Sequence, residues 1–201
     1  MKRHYTSCSD CKNLIFKMFL KKYGIFNVNF EHKIEGVSLD LKNYQDKDFY
    51  KEIENIYNKL VEYRGYDQFL YKKGKSKTLK PVDFYVVSHN FVVELDEHQH
   101  FTKARLITLK EYPKNFKTGY NLNEWKEKCK NYNRKDNHPE DRDEYRAWAD
   151  TIRDYIPKIK GFNDPTRRIF LGEKQYCKDF DFQSDESLGH FFKYIGMNND
   201  K

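Results

Sequence analysis

Three carboxylates lie close together in one short stretch of the chain. Asp83 sits in Pro81-Val-Asp-Phe-Tyr-Val-Val-Ser88, and Glu94 and Asp96 sit in Phe91-Val-Val-Glu-Leu-Asp96. Both runs are rich in β-branched and aromatic residues, and only His89-Asn90 separates them, which is a hairpin signal. With those two residues as the turn, Tyr85 faces Glu94 and Asp83 faces Asp96. Strand side chains alternate between faces. Asp83, Glu94 and Asp96 then share one face, and Val82, Phe84, Val86, Val93 and Leu95 the other. Like charges opposed across strands repel, more strongly as the surroundings become less polar. A hard divalent cation removes that repulsion, and Mg²⁺ is commonly held by one or two carboxylates with retained waters. The competing reading is a solvated face on which Lys or Arg of neighbouring strands pairs the acids.

Just past the acids comes Glu97-His-Gln-His100. If the strand continued, His98 and His100 would join the acidic face, and an Asp/His set suits Zn²⁺, Mn²⁺ or Fe²⁺ better than Mg²⁺. Cys8-x-x-Cys11 has the spacing of a metal knuckle. A closed structural Zn²⁺ site would also need Cys129 and Cys177, or His4, to converge on it, and ordinary thiols are the competing reading.

The same residues resemble the PD-(D/E)xK, or restriction-endonuclease-like, nuclease superfamily. Pro81-Val82-Asp83 stands where that family has its Pro-Asp, and Glu94-Leu95-Asp96 where it has (D/E)-x-K. More narrowly, Asp83-Phe84, Glu94-x-Asp96 and Gln99-His100 match the branch written D-F…E-x-D-x-x-Q-H. The resemblance covers about residues 80 to 104. It implies an α/β (α+β) fold whose central mixed sheet is flanked by helices, and Mg²⁺- or Mn²⁺-dependent hydrolysis of phosphodiester bonds in DNA. Asp83 and Glu94 would hold the metal, with Asp96 as third ligand or water-orienting group. Cations would meet the charge that develops on phosphorus, and Lys103 and Arg105 are nearest in sequence. The chain departs from the family at Asp96, where the family has Lys. That leaves the general base among Gln99, His100, Lys103 and a metal-bound water. The resemblance also brings Glu52, Glu54 and Glu62 into view as further metal-shell acids, and a homodimer as the assembly of a double-strand cutter. A catalytically silent nucleic-acid-binding module on the same fold is one alternative, and a metal enzyme using Asp96, His98 and His100 with Zn²⁺ or Fe²⁺ on a non-nucleic substrate is another.

The surrounding elements must position these groups. Leu14, Ile15, Met18 and Phe19 predict a helix over 10–23, ended by Gly24. Residues 25–34 alternate as a strand, and 36–46 read as a loop. Phe49, Ile53, Ile56, Leu60 and Tyr63 predict a helix over 48–63, and 68–72 a short strand. Further helices are expected over 122–133, over 139–156 with Pro157 closing it, and over 188–195, with a strand at 168–171. On the 139–156 helix, Arg142, Arg146 and Arg153 fall roughly on one face and can contact phosphates. Interleaved acids offer a self-paired surface instead. The elements read as one nuclease-like domain. Its core is 46–172, with 1–45 as an N-terminal helix-and-strand extension and 173–201 as a C-terminal extension.

Composition agrees with a folded, anion-binding protein. The chain has 201 residues, with 38 Lys and Arg against 31 Asp and Glu, a net charge of +7. Its pI is about 9.0, a balance that favours polyanions such as nucleic acid. Sixteen Tyr and sixteen Phe are far more aromatics than a disordered chain carries. No apolar run reaches the ~20 residues that span a bilayer, and the basic start leads into no secretory h-region. A cytoplasmic protein without membrane contact is the expectation.

Overall fold

The structure is a computed structural model that describes residues 9–66, 77–136, 138, 140–172 and 174–197. The short strand expected over 68–72 and residue Cys8 lie outside the described residues. In chain order the elements are α1 (Ser9–Tyr23), β1 (Val28–His32), α2 (Tyr50–Arg64), β2 (Val82–Val86), β3 (Phe91–Asp96), α3 (Lys103–Lys110), α4 (Leu122–Tyr132), α5 (Arg142–Lys160), β4 (Arg167–Phe170), α6 (Tyr176–Asp179) and α7 (Asp185–Tyr194). Four strands form one mixed sheet in the order β1-β2-β3-β4. The first three are antiparallel neighbours, and β4 runs parallel to β3. A parallel neighbour cannot be reached by a tight turn, and α3, α4 and α5 make the crossover.

Helices cover both faces of the sheet, so β3 is buried at all six positions. Phe84, Val86, Phe91, Val93, Leu95 and Ile169 pack against Ile15, Met18 and Phe19 of α1 and Phe191 and Phe192 of α7. Each such side chain contributes about 1.5–3 kcal/mol by leaving water. On the opposite face α2 supplies Ile53, Ile56 and Leu60, and α5 supplies Trp148, Ile152 and Tyr155. β1, read from sequence as part of an extension, is hydrogen-bonded along β2.

Several local expectations change. The hairpin turn is four residues long, because Val87–His89 forms a 3-10 turn closed by Asn90 in the left-handed region at φ 51°. The pairs are Phe84 with Val93, Tyr85 with Val92 and Val86 with Phe91. This is a slip of two from the sequence reading, and a slip of two keeps every side chain on its face. The strand over 25–34 shrinks to Val28–His32, because the chain first turns over 24–27, where Asn27 N–H donates to Gly24 O at 3.1 Å. α3 was not foreseen. Its segment is short and carries the β-branched Ile107 and Thr108, and its clearest start signal is Thr102, whose side chain caps Arg105 N–H.

α5 does not stop at Pro157 but continues to Lys160, where Gly161 at φ 69° ends it. A proline inside a helix orphans the carbonyl four residues earlier. Here that carbonyl belongs to Arg153, and Thr166 Oγ1 donates to it at 2.7 Å.

Candidate active site

The hairpin brings two of the three carboxylates to one cavity. Continuing the β2–β3 register sets Asp83 across from Glu94, and on the other side Glu94 lies beside Arg168 of β4. Asp83 Oδ2 accepts the Leu95 N–H at 2.7 Å. Glu94 is 4% exposed, and its Oε2 lies 3.0 Å from Arg153 Nε. Its Oε1 is buried with no hydrogen-bond partner. Burial drives the Glu94 carboxyl up to about 8, against the pull of Arg153 and with a further push from Asp83. Burial also raises Asp83, partly offset by the Leu95 N–H and by Lys12.

These acids line a cavity of about 460 Å³. Its cationic wall is built by α5, which turns Arg142, Arg146 and Arg153 to it at near-helical spacing, with Lys12 of α1 and Lys80 ahead of β2 completing it. The arginines are held in place, and acids pair with two of them as the self-paired reading expects: Asp136 lies 3.3 Å from both Arg142 and Arg146, and Asp143 3.6 Å from Arg146. Arg146 Nη1 donates to Gln99 O at 2.7 Å, and Arg142 Nη1 to His138 O at 2.9 Å. Lys12 Nζ lies 3.3 Å from Glu97 Oε1, while Gln99 Nε2 donates to Glu97 Oε2 at 2.8 Å.

His100 also lines the cavity, with Nδ1 at 3.0 Å from Asp150 Oδ2. Burial alone would raise Asp150, but the adjacent His100 and Arg168 hold it well below the usual carboxylate range. An ionised Asp150 can only accept, which puts a proton on His100 Nδ1.

Asp96 is placed differently. It is 1% exposed and does not line the cavity. Its Oδ1 accepts from Arg168 Nη1 at 2.7 Å and its Oδ2 from Trp125 Nε1 at 2.6 Å. Arg168 also donates from Nε to Asp154 Oδ1 at 2.8 Å. The sequence face is right, but this member of the trio is committed to a buried ion pair one layer behind the cavity.

Lys103 and Arg105, expected to meet the phosphate charge, do not line the cavity. Arg105 is 2% exposed. Its Nη2 donates to Asp154 at 2.6 Å, and its Nη1 reaches Thr108 and Tyr112. It is internal scaffolding with no side open to a phosphate. Lys103 is exposed on α3, over the Tyr63 ring and off the cavity lining.

β3 ends at Asp96, and the chain turns through a 3-10 segment, His98–His100. His98 therefore packs edge-on to the Tyr132 and Phe170 rings instead of extending the acidic face. Glu52 pairs with Tyr155 and Lys158, Glu54 with Tyr50 and Glu62 with Lys59. None of these three lines the cavity. Cys11 lies in the core on the α1 side of the sheet and Cys129 in the core on the other side, so those two thiols do not converge.

The donor set fits a hard cation held by few protein ligands. Asp83 and Glu94 are adjacent, and Glu94 Oε1 lacks a partner. Among the described residues no three His, Cys, Asp or Glu side chains are gathered as a ligand set. Water and substrate oxygens would complete the shell, as is usual for Mg²⁺. Sequence reasoning did not single out Lys12, Lys80 or Glu97 of the cavity wall. Asp150 was legible, since it shares the α5 stripe of Arg142, Arg146 and Arg153. Lys12 carried no signal, because only the tertiary fold brings α1 to the hairpin.

Comparison with protein families, with curated proteins and with solved structures finds no match for the chain. Among the described residues no helix is long and apolar enough to cross a membrane.

Proposed function

We propose that the chain is a metal-dependent endonuclease that hydrolyses phosphodiester bonds, with DNA as its substrate. One observation carries this reading. An adjacent acid pair, Asp83 and Glu94, with an unpartnered buried oxygen, faces a wall of Arg142, Arg146, Arg153, Lys12 and Lys80 across one cavity. Phosphodiester hydrolysis needs both halves. The acids can bind a cation, and the cations can bind the phosphates on either side of the scissile bond. The mixed sheet flanked by helices supports the restriction-endonuclease-like reading of the core.

When bound by Asp83 and Glu94, Mg²⁺ or Mn²⁺ supplies Lewis-acid polarisation of the phosphate and an acidified water. The protein's own groups do the rest. Arg142 and Arg146 orient the phosphate backbone, and Arg153 balances charge beside Glu94. His100, with Nδ1 turned to Asp150, keeps Nε2 as the nitrogen that takes a proton from the attacking water. This assigns the base that Asp96, in its ion pair with Arg168, does not provide.

A binding-only module is favoured by one contact, the Glu94–Arg153 pair, which compensates the acid without a metal. Incubation with supercoiled plasmid and single-stranded DNA separates the two readings. Cleavage with Mg²⁺ or Mn²⁺, absent with EDTA and reduced at least about 100-fold in Asp83→Asn and Glu94→Gln of unchanged circular dichroism, is expected from the loss of metal catalysis. Binding with no product under any metal establishes the module.

A further inference from the structure

Cys11, in the first turn of α1, and Cys177, in α6, lie 166 residues apart in sequence, yet their Sγ atoms are 3.4 Å from each other. Cys11 is 1% exposed, and Cys177 is partly open to solvent. The two helices pack directly on one another on the apolar face of the sheet. From this geometry we infer that Cys11 and Cys177 are a disulfide-forming pair, closed by a small-molecule disulfide such as oxidised glutathione.

A disulfide bond brings sulfurs to ~2.05 Å, so closure needs a movement of about 1.4 Å, within reach of side-chain rotation. A closed zinc site is the other use of paired thiols, and it needs four ligands. Zinc uptake by these thiols is therefore read as a separate outcome in the test. The reaction balances without a metal. Cys177, the accessible thiol, loses a proton and attacks one sulfur of the oxidant, expelling one small thiol. Cys11 then loses its proton and attacks the Cys177 sulfur, expelling the second. Two protons and two electrons leave the protein, and the oxidant becomes two thiols.

The bond ties the first helix of the described chain to its C-terminal part, closing a long loop, the case in which a cross-link restricts the unfolded chain most. It also fixes the turn that carries Lys12, the next residue, into the cavity. The inference does not depend on the nuclease reading. Cys129 is an internal control, because burial pushes its thiol up to about 12 and keeps it unreactive.

The test is alkylation and non-reducing peptide mapping of the full chain, incubated with oxidised glutathione or kept reduced. The expected product joins the Cys11 and Cys177 peptides about 2 Da lighter than their sum, with Cys129 alkylated only after unfolding. The melting temperature should rise by about 5–10 °C over the reduced chain, a gain absent in Cys177→Ser. Three results overturn the inference. These are alkylation of both thiols after oxidant treatment, a bridge from Cys8 to either of them, and purification with one equivalent of zinc that shields them until chelation. The mapping is done on the wild-type chain, so it decides the matter even if Cys177→Ser folds poorly.

Discussion

Arg168 Nη1 donates to Asp96 Oδ1 at 2.7 Å, and neither side chain is more than 2% exposed. The same guanidinium reaches Asp154 Oδ1 at 2.8 Å and Asp150 O at 3.0 Å. Removing it leaves buried acids without their counter-charge, and breaking a buried pair by deleting one partner typically costs about 3–5 kcal/mol. Arg168→Ala should lower the unfolding free energy by about that amount in urea titrations. The exposed pair Lys33–Glu35 is the control, and Lys33→Ala should move the midpoint little. A midpoint for Arg168→Ala equal to wild type would contradict the buried network.

Glu94 makes the stability of the metal-free protein depend on pH in a direction opposite to that of most paired carboxylates. Its folded pKa is about 8 against 4.5 unfolded. The folded state then holds a proton that the unfolded state releases between those values. The contribution is fully present below pH 4.5 and is lost as pH rises through 8. Glu94→Gln should flatten this part of the stability–pH curve. On the proposed reading Mg²⁺ would compete with the proton for the same carboxylate. The rise in melting temperature on adding Mg²⁺ should therefore grow from about pH 6 to about pH 8.5 in wild type and vanish in Glu94→Gln. A Mg²⁺ effect independent of pH would remove Glu94 from the site.

How much of this was legible depended on the kind of residue. The period-2 alternation of the hairpin put Asp83, Glu94 and Asp96 on one face, and that survived a two-residue error in register. The turn length was not legible, because Asn90 can take the left-handed conformation in a two-residue turn or as the last residue of a longer one. The partner of Asp96 was also hidden. Arg168 is 72 residues away, and only the parallel pairing of β3 with β4 brings the two together. Arg105 looked like a phosphate ligand because it follows the acids closely in sequence. Proximity in sequence does not say which side of a helix faces the core, and α3 turns Arg105 inward to Asp154.

If the proposed DNA substrate is right, the cationic wall should show in the salt dependence of its binding. Removing one side chain that neutralises a phosphate lowers the slope of log K against log salt by about 1. Arg142 and Lys80 line the cavity and keep solvent exposure. Arg142→Ala and Lys80→Ala should each weaken binding alike for different DNA sequences and reduce the slope. Lys103→Ala, off the cavity, should leave the slope unchanged. Filter binding across a salt series reads all three. An equal effect for Lys103→Ala would place the DNA on another surface.

In the proposed mechanism the His100–Asp150 contact at 3.0 Å would separate proton transfer from binding. A positioned general base typically contributes about 10²–10⁴-fold. His100→Ala should lower single-turnover cleavage within that range while DNA affinity stays near wild type. Asp150→Asn keeps the shape of the side chain but replaces the obligate acceptor facing Nδ1, and the freed tautomer choice makes Nε2 a donor for part of the time. Its rate should therefore fall between wild type and His100→Ala. Combining the two changes should cost no more than His100→Ala alone, because the carboxylate acts through the imidazole. Additive losses in the double variant would show that Asp150 reaches the reaction by another route, through Arg153 or Arg168.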